Sequence, residues 1–301
     1  MPILAAWLFL LLGGARLPVA GQAAVLRDDL GYPFRPAGPP QRIVSLAPNI
    51  TETLFALGLG ERIVGVTRYC DFPPAAARKE RIGGMVDPSL EKIQVLHPDL
   101  IVAFRGNPIG IVNKLRSLDF PVFVFDAGST LEDLLAMVRK MGRLTFRQDA
   151  ASELCRGLED RGRQVSAALR DVSREPRVFL SLHGQALWTC GAESYLNDLI
   201  VQAKGVNIAG RIRRRWLNLT MEQLLQEDPE VIIVMAKDPE SFRAGRDKLE
   251  ADPRLKQITA VRTGDIRFLD ENIASRFGPR LFQALADLAR ILHPERFTGN
   301  S

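Results

Sequence analysis

The chain is predicted to be an α/β protein: two lobes with mainly parallel sheets, joined by one long helix, with a ligand cleft between them. Three observations carry this. At 301 residues, 46% of them apolar, the chain is too long for one small domain and can bury a core in each of two lobes. Short apolar runs alternate with helical patterns, as in parallel sheets covered by helices. Between Thr130 and Val172 the strand signal disappears and only helical spacing remains.

In chain order, residues 1–23 read as a secretory signal, with an apolar run from Ile3 to Leu12 and small residues at Ala20, Gly21 and Ala23 for cleavage. Residues 24–40, rich in Pro and Gly, read as an irregular lead-in. The first lobe is placed at 41–145. It opens with the buried-strand run Arg42-Ile-Val-Ser-Leu, and Asn49 with Glu52 resembles a capping box. Gly58 stops that helix. Further strands are expected at 63–66, 100–104 and 122–125, with helices at 89–96 and 109–118. Gly142-Arg143 is expected to break two helices, the second being the connector at 146–173. The second lobe, 174–297, restarts at Arg177-Val-Phe-Leu-Ser and ends in a helix with Leu281, Leu285, Leu288 and Leu292 on one face. His97-Pro-Asp-Leu-Ile-Val and Asp228-Pro-Glu-Val-Ile-Ile-Val fall at like places in the two lobes, a weak internal repeat.

The net charge of +5 comes from Lys and Arg interspersed with Asp and Glu, which reads as a solvated surface and not as a nucleic-acid footprint. The three cysteines, Cys70, Cys155 and Cys190, lack metal-site spacing and are read as unpaired, with Cys70 and Cys190 in loops facing the cleft. No nucleophile elbow or phosphate loop is present, and Gly58-x-Gly60 follows a helix, so it reads as a helix end. His97 and His293 each precede proline at a helix end, which leaves His183 as the one histidine in a candidate functional loop. Binding without turnover is the expectation: no enzyme and no catalytic cofactor.

Aromatic residues cluster where strands end, the positions that border a crevice in an α/β sheet. They are Tyr69, Phe72, Phe104, Trp188 and Trp216, with Phe277 further on. Arg105, Asn107, Asn272 and Arg276 stand close by. Such a set suits a flat or bulky ligand with amide edges: rings cover apolar surface, and Arg and Asn bond the rim.

An ordered series of motifs carries a family resemblance. It comprises Arg42-Ile-Val-Ser-Leu-Ala-Pro-Asn-Ile-Thr-Glu-Thr, Tyr69-Cys-Asp-Phe-Pro-Pro, Gly83-Gly-Met-Val-Asp-Pro-Ser-Leu-Glu-Lys-Ile, His97-Pro-Asp-Leu-Ile-Val-Ala-Phe-Arg-Gly-Asn, Gly191-Ala-Glu-Ser-Tyr-Leu-Asn-Asp-Leu-Ile and Arg276-Phe-Gly-Pro-Arg. Over about residues 41–296 the chain resembles the periplasmic solute-binding proteins of ABC importers that carry cobalamin, haem or ferric siderophores, and the cobalamin branch matches best. The resemblance implies Rossmann-like lobes bridged by a single long helix, and a corrinoid ligand in the cleft. It also implies an inner-membrane permease dimer with its ATPase subunits as partner, a periplasmic location, and a monomer when free. It places Pro48, Phe72, Phe104, Trp188, Trp216 and Arg276 at the ligand. Met85 stands where a tryptophan is expected and Asn272 where an aspartate is expected. Glu91 and Glu222 match the paired carboxylates that dock on the permease, one per lobe. His183 is new in its loop and is a candidate cobalt ligand. The rival readings are a haem or ferric-siderophore carrier, with Tyr69 or His183 as axial ligand, and an α/β enzyme.

Overall fold

The computed structural model describes residues 25–182 and 187–297; the predicted signal segment and His183 lie outside the described residues. The chain begins with a ribbon of β1 (Leu26–Arg27) and β2 (Pro33–Phe34). The first lobe follows as β3 (Ile43–Ser45), α1 (Pro48–Ala56), β4 (Ile63–Val66), β5 (Glu80–Arg81), α2 (Leu90–Val95), β6 (Leu100–Phe104), α3 (Ile109–Ser117) and β7 (Val122–Phe125). Two long helices, α4 (Leu131–Thr145) and α5 (Gln148–Ala168), lead to the second lobe. It contains β8 (Arg177–Ser181), β9 (Trp188–Cys190), α6 (Tyr195–Gln202), β10 (Val206–Asn207), β11 (Trp216–Asn218) and α7 (Met221–Glu227). It ends with β12 (Val231–Ala236), α8 (Pro239–Ala251), α9 (Thr259–Thr263), β13 (Ile266–Asp270), α10 (Glu271–Ala274) and α11 (Leu281–Leu292).

Each lobe holds one parallel sheet, ordered β5-β4-β3-β6-β7 in the first and β10-β8-β12-β13 in the second. Helices cover both faces, which is why β3, β7 and β12 are buried at every position and read as unbroken apolar runs. In both sheets the order reverses beside the first strand, between β3 and β6 and between β8 and β12. Loops leaving the carboxyl ends there splay apart and open a crevice. A separate antiparallel pair, β9 with β11, sets Trp188 opposite Asn218 and Trp216 opposite Cys190.

One apolar cluster runs without interruption from Ile43 and Phe123 through Leu134 and Leu158 to Leu196 and Leu285, so the lobes share a core. The connector α5 packs on α4 from the first lobe and on α11 from the second. Its 21 residues are fewer than the predicted 146–173. The break before it falls at Phe146, whose left-handed φ of 58° ends α4, and not at Gly142-Arg143, which stays helical.

Three further expectations are corrected. The lead-in is packed: Phe34 meets Phe123 edge-on at 5.5 Å and Asp28 pairs with Arg116. Asn49 and Glu52 do not form a capping box, because α1 begins at Pro48 after Ala47 and both side chains reach the second lobe instead. Cys70 and Cys190 are buried and do not face the cleft, and burial pushes the Cys190 thiol up to about 12.

Candidate functional site

The carboxyl ends of the two sheets face each other across a cleft of about 530 Å³. Pro48 and Asn49 enter it after β3, and Phe104 with Arg105 at the end of β6. Lys237 enters after β12, and Glu271 and Asn272 after β13. A neighbouring cavity of about 310 Å³ shares Tyr195, Trp216 and Ser275 with it and extends to Trp188, Leu182 and Met235.

Of the predicted ligand residues, Pro48, Tyr69, Met85, Phe104, Arg105, Trp216, Asn272 and Arg276 line the main cleft, and Trp188 lines the neighbouring cavity. Phe72 and Asn107 stand outside both. The Phe72 ring carries the Arg280 guanidinium 4.1 Å from its centroid. Asn107 is buried: its amide donates to the carbonyls of Leu46 and Met85 at 2.9 Å, and its side-chain oxygen accepts from the Phe104 N–H at 2.8 Å. It therefore shapes the wall from behind, fixing Met85 and Phe104. Trp188 and Trp216 lie on the β9–β11 pair instead of just after strands.

Sequence reasoning missed Tyr195. It is buried between Trp216 (6.0 Å, edge-on) and Phe277 (5.2 Å), forming an aromatic wall with them, and burial raises its phenol. The missed signal was local: Tyr195 opens a capped helix and looks like an ordinary core position. Arg215, Lys237 and Asp126 were also missed, each coming from a loop whose aim only the fold sets.

An ionic lock crosses between the lobes beside the cleft. Glu52 on α1 accepts from Arg276 Nη1 (2.8 Å) and from Arg280 Nε (2.8 Å) and Nη2 (2.6 Å), and its side chain is 2% exposed. Asp71 accepts from Arg276 Nη1 at 2.6 Å, and Asn49 donates to the Phe277 carbonyl at 3.2 Å. On another flank, the Leu131 N–H donates to Asp198, and Arg215 donates to the Ala127 carbonyl. Partial burial pushes the Asp71 carboxyl up, but the bond and charge of Arg276 outweigh it and hold the group below the ordinary aspartate value. A depressed carboxylate contributes stability above its unfolded value and loses it as pH falls through the folded one. The interlobe tie at Asp71 is therefore expected to be intact at neutral pH and to loosen only below the usual aspartate range. Hydrogen exchange at 69–73 and 275–281, compared between pH 7 and pH 3, checks this; protection unchanged across that window in both segments would contradict it.

Glu91 and Glu222 occupy corresponding places. Each lies exposed in the first turn of a short helix, α2 or α7, behind a Ser89 or Thr220 cap. Each is held below the ordinary glutamate value, first by its own backbone N–H and then by the cap hydroxyl. The helices end alike, at left-handed His97 (φ 44°) and Asp228 (φ 40°), before the strands β6 and β12. Arg42 donates to the Leu96 carbonyl at the end of α2, and Arg177 donates to the Asp228 carbonyl at the end of α7. The weak sequence repeat is thus a repeated device of structure.

The periplasmic binding protein family matches residues 43–273. The vitamin B12-binding protein of Pectobacterium carotovorum subsp. carotovorum (strain PC1) is 28% identical over 247 residues, covering 81% of this chain and 86% of that one. The crystal structure of the periplasmic vitamin B12-binding protein of Vibrio cholerae superposes with a TM-score of 0.72 at 25% identity, covering 86% and 99% of the two chains. The periplasmic haem-binding protein of Roseiflexus sp. RS-1, in its apo form, superposes with a TM-score of 0.76 at 27% identity, covering 85% and 99%.

Proposed function

The chain belongs to the periplasmic binding protein family, and from that premise we propose that it captures a corrinoid of the cobalamin type and delivers it to an ABC import permease. The observation that carries the reading is the cleft itself. Phe104 and Trp216 offer apolar faces backed by the buried rings of Tyr195 and Phe277, while Arg105 and Asn272 offer polar groups at the rim. A macrocycle with an apolar face and amide edges needs both, and the relatives named as vitamin B12-binding support that class. No covalent step is required.

The shared core and the interlobe lock make the cleft largely preformed, so little ordering opposes binding. Glu91 and Glu222 would each meet one subunit of a two-fold permease with its ATPase subunits, and release would follow when the permease forces the lobes apart. The protein would act in the periplasm, as a monomer when free.

Calorimetric titration with cyanocobalamin, with haemin in parallel, tests this. One-to-one cobalamin binding is expected, weakened about 10- to 100-fold in Trp216→Ala, since truncating a central aromatic anchor removes about 2 kcal/mol or more. Haem is the second reading, because Tyr69 lines the cleft while 52% exposed, free to ligate iron. Haemin binding alone, with a spectral shift lost in Tyr69→Phe, would replace the corrinoid reading.

A further inference from the structure

The charges around the cleft do not cancel, and on the corrinoid reading this narrows the ligand class. Glu52 and Asp71 answer Arg276 and Arg280. Asp126 alone answers two cations, Arg105 at 2.6 Å and Arg215 at 3.5 Å. Of the residues that line the cleft itself, four are cations, Arg105, Arg215, Lys237 and Arg276, and two are carboxylates, Asp126 and Glu271. The ammonium of Lys237 has no ion pair or hydrogen bond among the described residues, although it lines the cleft.

Position strengthens the point. Lys237 follows β12 and Arg105 follows β6, and each strand lies beside the first strand of its sheet at the reversal of strand order. The two lobes thus present a cation from the same place in the fold, on opposite walls. Arg105 keeps its side chain 61% exposed while bonding Asp126 through one nitrogen, so other donors stay open. Beside apolar walls a cation attracts an anion more strongly than in bulk water, and it lacks a compensating charge until one arrives.

We infer that Lys237, with Arg105 opposite, takes an anionic group of the ligand: the phosphodiester of a complete cobalamin or a free side-chain carboxylate of an incompletely amidated corrinoid. A corrinoid without either group is held by the aromatic wall and the amide-bonding rim, with no contribution from Lys237.

The test compares wild type, Lys237→Met and Lys237→Arg by titration with three probes. These are cyanocobalamin, which has the phosphodiester; dicyanocobinamide, which has neither anion; and a cobinamide with one side chain hydrolysed to the carboxylate. Lys237 is exposed, so the thermal midpoint should not move. Lys237→Met is expected to weaken the anionic probe about five- to tenfold, in line with a partly exposed charge-assisted contact. It should leave dicyanocobinamide unchanged, and Lys237→Arg should restore binding. Loss confined to cyanocobalamin identifies the phosphodiester; loss confined to the acid identifies the carboxylate. Equal loss for dicyanocobinamide, or no loss for any probe, overturns the inference while the corrinoid reading stands. Failure of all three probes on wild type removes both.

Discussion

Glu52→Ala is expected to lower the free energy of unfolding by about 3–5 kcal/mol, the usual result of removing one partner from a buried ion pair. The carboxylate is 2% exposed, and its partners Arg276 and Arg280 are 12% and 16% exposed. Without Glu52 the two guanidiniums remain close together and out of water. Asp71, 60% exposed, then answers Arg276 alone, since among the described residues it bonds no other guanidinium. The loss should appear as a lower denaturant midpoint. Asp71→Asn should cost far less, since exposed pairs contribute about 0–1 kcal/mol. Because Glu52 lies in one lobe and both arginines in the other, the loss should be accompanied by faster hydrogen exchange along the cleft, beyond the general fall in stability. A stability change under about 1 kcal/mol would mean that water solvates the arginines freely, and the lock would lose its part in holding the cleft.

Charge reversal at both docking positions, Glu91→Lys with Glu222→Lys, is expected to weaken binding to the proposed permease by about 100-fold or more, while cobalamin affinity and thermal midpoint stay as in wild type. Both carboxylates are exposed and, among the described residues, bond only local groups, so folding does not depend on them. Like-charge juxtaposition at an interface costs several kcal/mol and slows encounter. Either single reversal should leave one lobe engaged and give an intermediate effect. Permease affinity and ligand-stimulated ATP hydrolysis in reconstituted membranes report this. A double variant that docks like wild type would remove both residues from the interface.

The strand positions were legible because buried parallel strands are continuous apolar runs, as at Ile101–Phe104 and Val231–Ala236. The exposed carboxylates of α2 and α7 were legible through ordered motifs and local caps, which involve neighbours within three residues. The ring of Phe72, placed at the ligand by the resemblance, carries the Arg280 guanidinium; a loop ring can face either, and the position of Arg280 enters only with the fold. The same choice is open at Asn107, since an amide beside a cleft can bond the ligand or brace the wall, and its bonds to Leu46 and Met85 are visible only in the fold.

Alone, the sequence determined the α/β architecture, the helical link between the lobes, the aromatic character of the cleft and the family. These depend on local periodicity and on composition at strand ends, which neighbouring residues settle. Only the tertiary structure decided that Glu52 holds the lobes together and does not cap its helix, that Tyr195 completes the aromatic wall, and that Lys237 has no ion pair among the described residues. Those outcomes depend on pairs such as Glu52 with Arg276, 224 positions apart in the chain. A short-range pattern carries no information about a partner that distant, because the partner's identity is set by how two separately formed sheets pack and not by either segment.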